Sequence, residues 1–359
     1  MNLDTIFNKA LSAEEITKEE ALLLFKDNGN LGEEVFSVAR EINEKLNGKI
    51  VTYVVNRNIN FTNICKIKCK FCGFHKEGSQ NGAFTLNSEE ILHKIRETPG
   101  ISEVCIQGAI NQSLNFSYYI DILRCIKSNY PSLHIHGISP EEVNFIVEIS
   151  GRSLEEVILA LKKAGLDSMA GTAAEVLVEK VRQKIAPFKI NAVRWLEIVR
   201  TAHKLGLKST ATILFGHIES NEDIIDHFDL LKGIQKETGG FTEFIPLLFI
   251  PYHTKLGYEY SLKDIIPWQR IKKFYAMARI YLATTFKNLQ TSWVKLGIDR
   301  ALESLEAGVN DFGGTLFEEN ITRSAGGKFG QYLSQEEIRA RLLKVGKVPL
   351  KRDTFYNMI

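Results

Sequence analysis

The sequence predicts an α/β fold: a TIM-barrel-like parallel barrel, complete or partial, with helical extensions at its N- and C-terminal ends. Three observations lead there. Short apolar or alternating runs take turns with amphipathic helical stretches through most of the 359 residues. No Gly-, Ser- or Pro-rich linker interrupts them, so the alternation belongs to one body. With 44% hydrophobic residues and a formal net charge of +2, the chain can bury a large core. A doubly wound open sheet is the competing architecture. In either, reactive groups belong at the C-terminal ends of the strands.

The elements follow in chain order. Residues 13–46 read as helices, with apolar residues at helical spacing in TKEEALLLFK and LGEEVFSVAREINEKL, and Gly48 ends them. This sets an N-terminal extension at 1–48, a barrel core at 49–286 and a C-terminal extension closing the barrel at 287–359. The expected strands lie in KIVTYVVNRNINFTN, SEVCIQG, LHIHGIS, DSMAG, KSTATILFG, TEFIPLLFI, LQTSWV and NDFGGT. Between them, helices are expected at 88–97, 116–130, 154–164, 173–184, 193–205 and 223–237.

Charge and cysteine usage exclude several classes. The 45 basic and 43 acidic residues are interleaved, so no stripe offers a footprint for nucleic acid or an anchor for a membrane surface. The first residues carry acids throughout and no apolar run reaches bilayer length, so a cytoplasmic protein is expected. Five cysteines, three of them clustered, do not look like a disulfide framework.

The cluster needs its own explanation. Cys65, Cys69 and Cys72 lie just past the first strand, in the stretch NICKIKCKFCGFHK. A loop of this spacing can wrap a compact inorganic core while three thiolates converge on it, and a cubane iron–sulfur cluster held by three leaves one iron open. Zinc is the alternative, with His75 completing a tetrahedron in a binding or structural protein, although zinc ligands usually come as two separated knuckles. Three unliganded core cysteines fit poorly with so charged a loop. Cys105 and Cys125 lack ligand spacing with the trio and read as small core residues.

The CKIKCKFCGF loop after a strand resembles the radical S-adenosylmethionine (SAM) superfamily. Five further stretches in order, EVCIQGAIN, LHIHGISPEE, GLDSMAGTAAEVLVEKVR, STATILFGHIES and NDFGGTLFEENITRSAG, resemble the tyrosine-dependent FO synthase branch. The menaquinone-pathway enzymes aminofutalosine synthase and dehypoxanthine futalosine cyclase share this framework. Those enzymes usually carry a Gly-Gly-Gly run where this chain has Gly171, Thr172 and Ala173, while Ala109 and Ala170 depart from the glycine and proline usual in the branch. The resemblance implies a 4Fe-4S cluster on Cys65, Cys69 and Cys72, with SAM on the open iron and cleaved to a 5′-deoxyadenosyl radical. It also implies L-tyrosine and 5-amino-6-(D-ribitylamino)uracil as substrates, a partner radical SAM subunit and a reducing electron donor.

Site candidates combine the residues with that resemblance. His134 and His136 share one face of a strand, and such a pair near a strand's C-terminal end suggests substrate binding or proton transfer, with His136 the closer. Gly171 and Thr172 are expected to open a helix whose free N–H groups can meet an anion, placing Glu175 in its first turn and Arg182 on the same side. Under the resemblance Phe74, Gln107, Gly108, Glu175, Arg182, Gly216 and Glu219 face the cofactor, and Asp311 and Arg323 face the substrate.

Overall fold

The structure, a computed structural model, describes residues 2–26 and 31–359. Helices Leu3–Leu11, Lys18–Phe25 and Leu31–Asn47 precede the first strand. The second starts with a reciprocal cap in which the Thr17 hydroxyl accepts from the Glu20 N–H while the Glu20 carboxylate accepts from the Thr17 N–H. The strands are β1 (Ile50–Val54), β2 (Asn56–Asn60), β3 (Glu103–Gln107), β4 (His134–Gly137), β5 (Ser168–Met169), β6 (Ser209–Phe215), β7 (Phe241–Leu248), β8 (Asp311–Gly314) and β9 (Val348–Lys351).

Strands β2 to β7 form a six-stranded parallel sheet in chain order. Each crossover runs through at least one helix, and β6, STATILF, is buried throughout and carries no charged residue, as suits a strand covered on both faces. Strand β1 pairs instead with β8 and β9, so the single run expected over KIVTYVVNRNIN divides at Val55. Asn56 joins the two parts: its side chain donates to Glu103 Oε1 at 2.9 Å and accepts from the Leu316 N–H at 3.0 Å. Isolated parallel bridges Phe244–Leu289, Gln290–Asp311 and Arg57–Phe317 bring the sheet's two ends round to the β8 region. The LQTSWV stretch supplies the first two of those bridges and then turns into the short helix Trp293–Leu296.

Strand β9 had no sequence expectation. Beyond it the last residues fill the end of the barrel where the strands begin: Arg352 donates to Asp311 at 2.5 Å and to Glu243 at 3.3 Å, the Tyr356 hydroxyl to Glu243 at 2.6 Å, and the Thr354 hydroxyl to Glu103 at 2.6 Å. Among the described residues, no helix is long and apolar enough to cross a membrane.

Candidate active site

The three clustered cysteines fall in the loop after β2, and that loop is pinned on both sides. The Lys66 N–H donates to Ile110 at 2.9 Å, the Lys70 N–H to Ile185 at 2.9 Å, and the Lys70 carbonyl accepts from Leu256 at 2.8 Å. Gly73 packs so closely on the backbone of Ser324 and Ala325 that a Cβ would lie 2.5 Å from the Ser324 oxygen. Pinned in this way, Cys65, Cys69 and Cys72 open onto one cavity of about 380 Å³ at the C-terminal ends of the strands.

The donor set fits an iron–sulfur cluster. All three thiols line one wall, and burial pushes those of Cys69 and Cys72 well up from their ordinary range, against the pull of the nearby Lys189 ammonium. Thiolates so enclosed need the positive charge that bound iron provides. The zinc alternative asks His75 for a fourth ligand; its Nδ1 sits 3.0 Å from the backbone oxygen of Cys72, and the residue lines the same cavity.

Facing the thiols is the turn after β5. The expected helix at 173–184 begins only at Glu179, and the residues before it follow an irregular path in which Ala173 and Glu175 take left-handed backbone angles, φ 66° and 47°. Two devices hold this uncommon conformation. The buried Arg182 guanidinium donates to the carbonyls of Ala173, Ala174 and Ile190, and Gly171 lies against β6, where a Cβ would come within 1.7 Å of the Thr210 oxygen. Glu175 is thereby turned into the cavity, where it pairs with Lys189; the two side chains are 11% and 12% exposed. Lys189 also lies 5.4 Å from the ring centre of Phe71, inside the cysteine loop.

Strand β3 contributes Gln107, whose amide oxygen accepts from Thr172 at 3.0 Å, and Gly108, whose N–H donates to Glu142 at 3.0 Å. A Cβ on Gly108 would strike the Phe61 ring at 2.2 Å, so glycine is required there by packing. Phe74 lines the same cavity, edge-on to Phe84. Glu142 is buried, accepts also from the Ser139 N–H at 2.8 Å and hydroxyl at 2.6 Å, and burial raises its carboxyl to about 7.

Several expected residues lie elsewhere. His134 and His136 share a face, as the period of two requires, but both point into the lower barrel. Their register partners are Glu103 and Cys105, both bond the Ser168 hydroxyl at 2.8 Å, and His134 lies edge-on to Phe355 of the C-terminal plug. At cavity level the chain after β4 has already reached Ser139, Glu141 and Glu142. Asp311 begins β8 and is bound to Arg352 and to the Thr52 hydroxyl, 2.5 Å each, at the closed end. Arg323 is exposed and bonded to Gln331. Arg182 braces the β5 turn from behind. Gly216 and Glu219 border a different cavity of about 220 Å³, where Glu219 accepts from the N–H groups of Gly216 at 2.5 Å and His217 at 2.9 Å; β6 offers Thr212 and Leu214 to the cysteine cavity instead. Sequence reading missed Glu141, Glu142, Lys189, Lys295 and Glu319. For the glutamates a signal existed in SPEE, a helix start directly after a strand.

A parallel barrel with three cysteines on the loop after its first sheet strand, opening onto a deep cavity of mainly apolar lining with charged groups set into it, defines a radical SAM enzyme. The radical SAM superfamily profile matches residues 59–231, and the CofH/MqnC C-terminal region profile matches 238–359. Among solved structures, the FeFe-hydrogenase maturase HydG from Carboxydothermus hydrogenoformans is similar in fold (TM-score 0.73, 20% identity, 99% of this chain and 80% of that one), as is methylornithine synthase PylB (TM-score 0.71, 16% identity, 96% and 97%). Closer in sequence are proteins named 5-amino-6-(D-ribitylamino)uracil–L-tyrosine 4-hydroxyphenyl transferase. Those of Methanococcus aeolicus and Methanococcoides burtonii are each 45% identical over 96% of both chains, and that of Methanopyrus kandleri is 42% identical over 90% of this chain and 89% of its own. The chain belongs to this transferase family of the radical SAM superfamily.

Proposed function

We propose that this enzyme joins the 4-hydroxybenzyl group of L-tyrosine to 5-amino-6-(D-ribitylamino)uracil, releasing 2-iminoacetate, methionine and 5′-deoxyadenosine, in biosynthesis of the deazaflavin (FO) chromophore. The observation that carries the reading is full-length similarity to relatives bearing that name, in a chain whose three cysteines share a cavity with the residues those substrates need. Cys65, Cys69 and Cys72 would hold a 4Fe-4S cluster, and SAM would sit against Phe74, Gln107, Gly108 and Glu175. When bound, cluster and SAM supply the 5′-deoxyadenosyl radical that takes a hydrogen from tyrosine's amino group.

The chain's own part is to position the reactants and exclude water. Glu175, held by Lys189 and by the braced turn, presents a fixed carboxylate beside the cysteine loop. Trp293, Thr322 and Ala325, all buried, help to enclose the cavity, which keeps a radical from side reactions with groups other than its substrate. Asn58 Oδ1, Gln290 Oε1 and Thr291 Oγ1 belong to cavity-lining residues and have no hydrogen-bond partner among the described residues. A substrate rich in hydroxyl and N–H donors, such as a ribitylaminouracil, supplies what they lack. A partner radical SAM subunit would close the deazaflavin ring, and an external donor would supply the electron, both in the cytoplasm. The division into a helical extension (1–48), a core (49–286) and a closing extension (287–359) belongs to this reading, supported by the three helices before β1 and by the closing strands β8 and β9.

The test is to incubate anaerobically reconstituted enzyme with SAM, reductant and each candidate substrate, and to identify products by mass. A hydroxybenzyl–uracil adduct that requires tyrosine is expected. Turnover of a futalosine-pathway substrate with tyrosine untouched would reassign the chain to the menaquinone branch.

A further inference from the structure

Two lysines line the cysteine cavity, and they differ in one respect. Lys189 is committed: it pairs with Glu175 and lies over Phe71. Lys295, from the short helix Trp293–Leu296, lines the same cavity half-buried, and its side chain has no hydrogen-bond or ion-pair partner among the described residues. The carboxylates whose charges reach it are Glu319 and Glu175, and each already has a partner. Both Glu319 oxygens accept from the Thr322 N–H at 3.1 Å, and Glu175 holds Lys189. An ammonium that lines a cavity with no direct partner can make a charge-assisted hydrogen bond to an anionic ligand group placed there.

The reaction brings in one small anion besides SAM, the carboxylate of the amino-acid substrate. We propose that Lys295 binds the carboxylate of L-tyrosine, with Glu319 beside it, buried and facing the same space, taking the amino end. This rests on the functional reading above. It replaces the expected role of Arg323, which is exposed and bonded to Gln331 outside the cavity. Carboxylate and ammonium are adjacent on the α-carbon, so a site for them needs a cation and an anion facing one space, and Lys295 and Glu319 both line this cavity and feel each other's charge. The assignment gives Lys295 a positioning role: gripping the carboxylate fixes where the amino hydrogen lies relative to the radical source.

The experiment is a binding cycle on reconstituted enzyme in the presence of SAM, titrating L-tyrosine and tyramine, which lacks the carboxylate, into the parent and Lys295→Met. Circular dichroism and iron content serve as controls for folding. The parent is expected to bind tyrosine more tightly than tyramine by about 10- to 100-fold, the range of a charge-assisted hydrogen bond. In Lys295→Met that preference is expected to disappear, with Lys295→Arg restoring part of it. In turnover, KM for tyrosine is expected to rise more than KM for the uracil. If Lys295→Met keeps the parent's preference for tyrosine over tyramine, the assignment is wrong. Should Lys295→Met not fold, Lys295→Gln takes its place, and an unchanged preference there overturns it equally. A parent enzyme that neither binds tyrosine nor forms the adduct would overturn the functional reading, and Lys295's role with it.

Discussion

Cys69 is buried, and its thiol is pushed up by burial while Lys189 pulls it down. Its ionised form therefore depends on charge brought in from outside the chain, and Cys69→Ala is expected to lose both bound iron and formation of 5′-deoxyadenosine. Iron assay and product chromatography check this. Cys125→Ser, in the helix Phe116–Asn129, is expected to keep both. Lys189 and Glu175 form a nearly buried pair whose separation leaves one charge uncompensated. Lys189→Met is accordingly expected to cost about 3–5 kcal/mol by thermal unfolding and to impair loading of cluster and SAM, because Glu175 loses its anchor beside the cysteine loop. The cysteines were legible because their spacing is local. Lys189 was not: it is far from them in sequence, and only packing brings it over Phe71.

Strand β4 shows how an element can be read correctly yet placed at the wrong depth. Alternation puts His134 and His136 on one face, but it does not say how high in the barrel that face begins. Height is set by register and bonding: His134 pairs with Glu103 at the closed end, and His136, although opposite the cavity-lining Cys105, is held on the Ser168 hydroxyl outside the cavity. His136→Gln is thus expected to leave product formation near the parent rate in the tyrosine-dependent assay, whereas replacements at cavity level are not. The C-terminal segment after β9 is the other element whose role depends on pairing. Arg352 is 1% exposed and compensates Asp311 and Glu243. Arg352→Met is expected to lower stability by about 3–5 kcal/mol, read as a fall in unfolding temperature, since two buried carboxylates lose their cation.

At the scale of the whole molecule, the buried histidines make stability depend on pH. His203 is enclosed by Phe241, edge-on at 4.8 Å, and by the hydroxyls of Thr238 and Ser209 at 2.7 and 2.8 Å, and burial lowers its imidazole to about 4. The unfolded chain takes up this proton near the ordinary value of 6.5 while the folded chain does so only near 4. The contribution is therefore whole above that upper value and is lost as pH falls toward the lower one, at up to about 1.4 kcal/mol per pH unit. Glu142, raised to about 7, works in the opposite sense, so the total profile is shallower than the histidine alone would give. The clean measurement is a comparison: His203→Asn is expected to be less stable than the parent at pH 7, and the gap is expected to narrow as pH falls from about 6.5 to 4, followed by chemical denaturation.

The sequence by itself determined the class of fold and the cysteine loop. Both are written in local spacing: alternation of strand and helix periods, and a thiol every three or four residues. Only the tertiary structure decided which side chains meet. It turned Glu175 into the cavity through a left-handed turn braced by Arg182, sent Asp311 and the two histidines to the closed end, brought β9 and the last residues into the barrel, and set Lys295 on the cavity that the cysteines line. Those outcomes depend on strand register and on contacts between residues far apart in the chain, and the periodicity of a single segment carries no record of either.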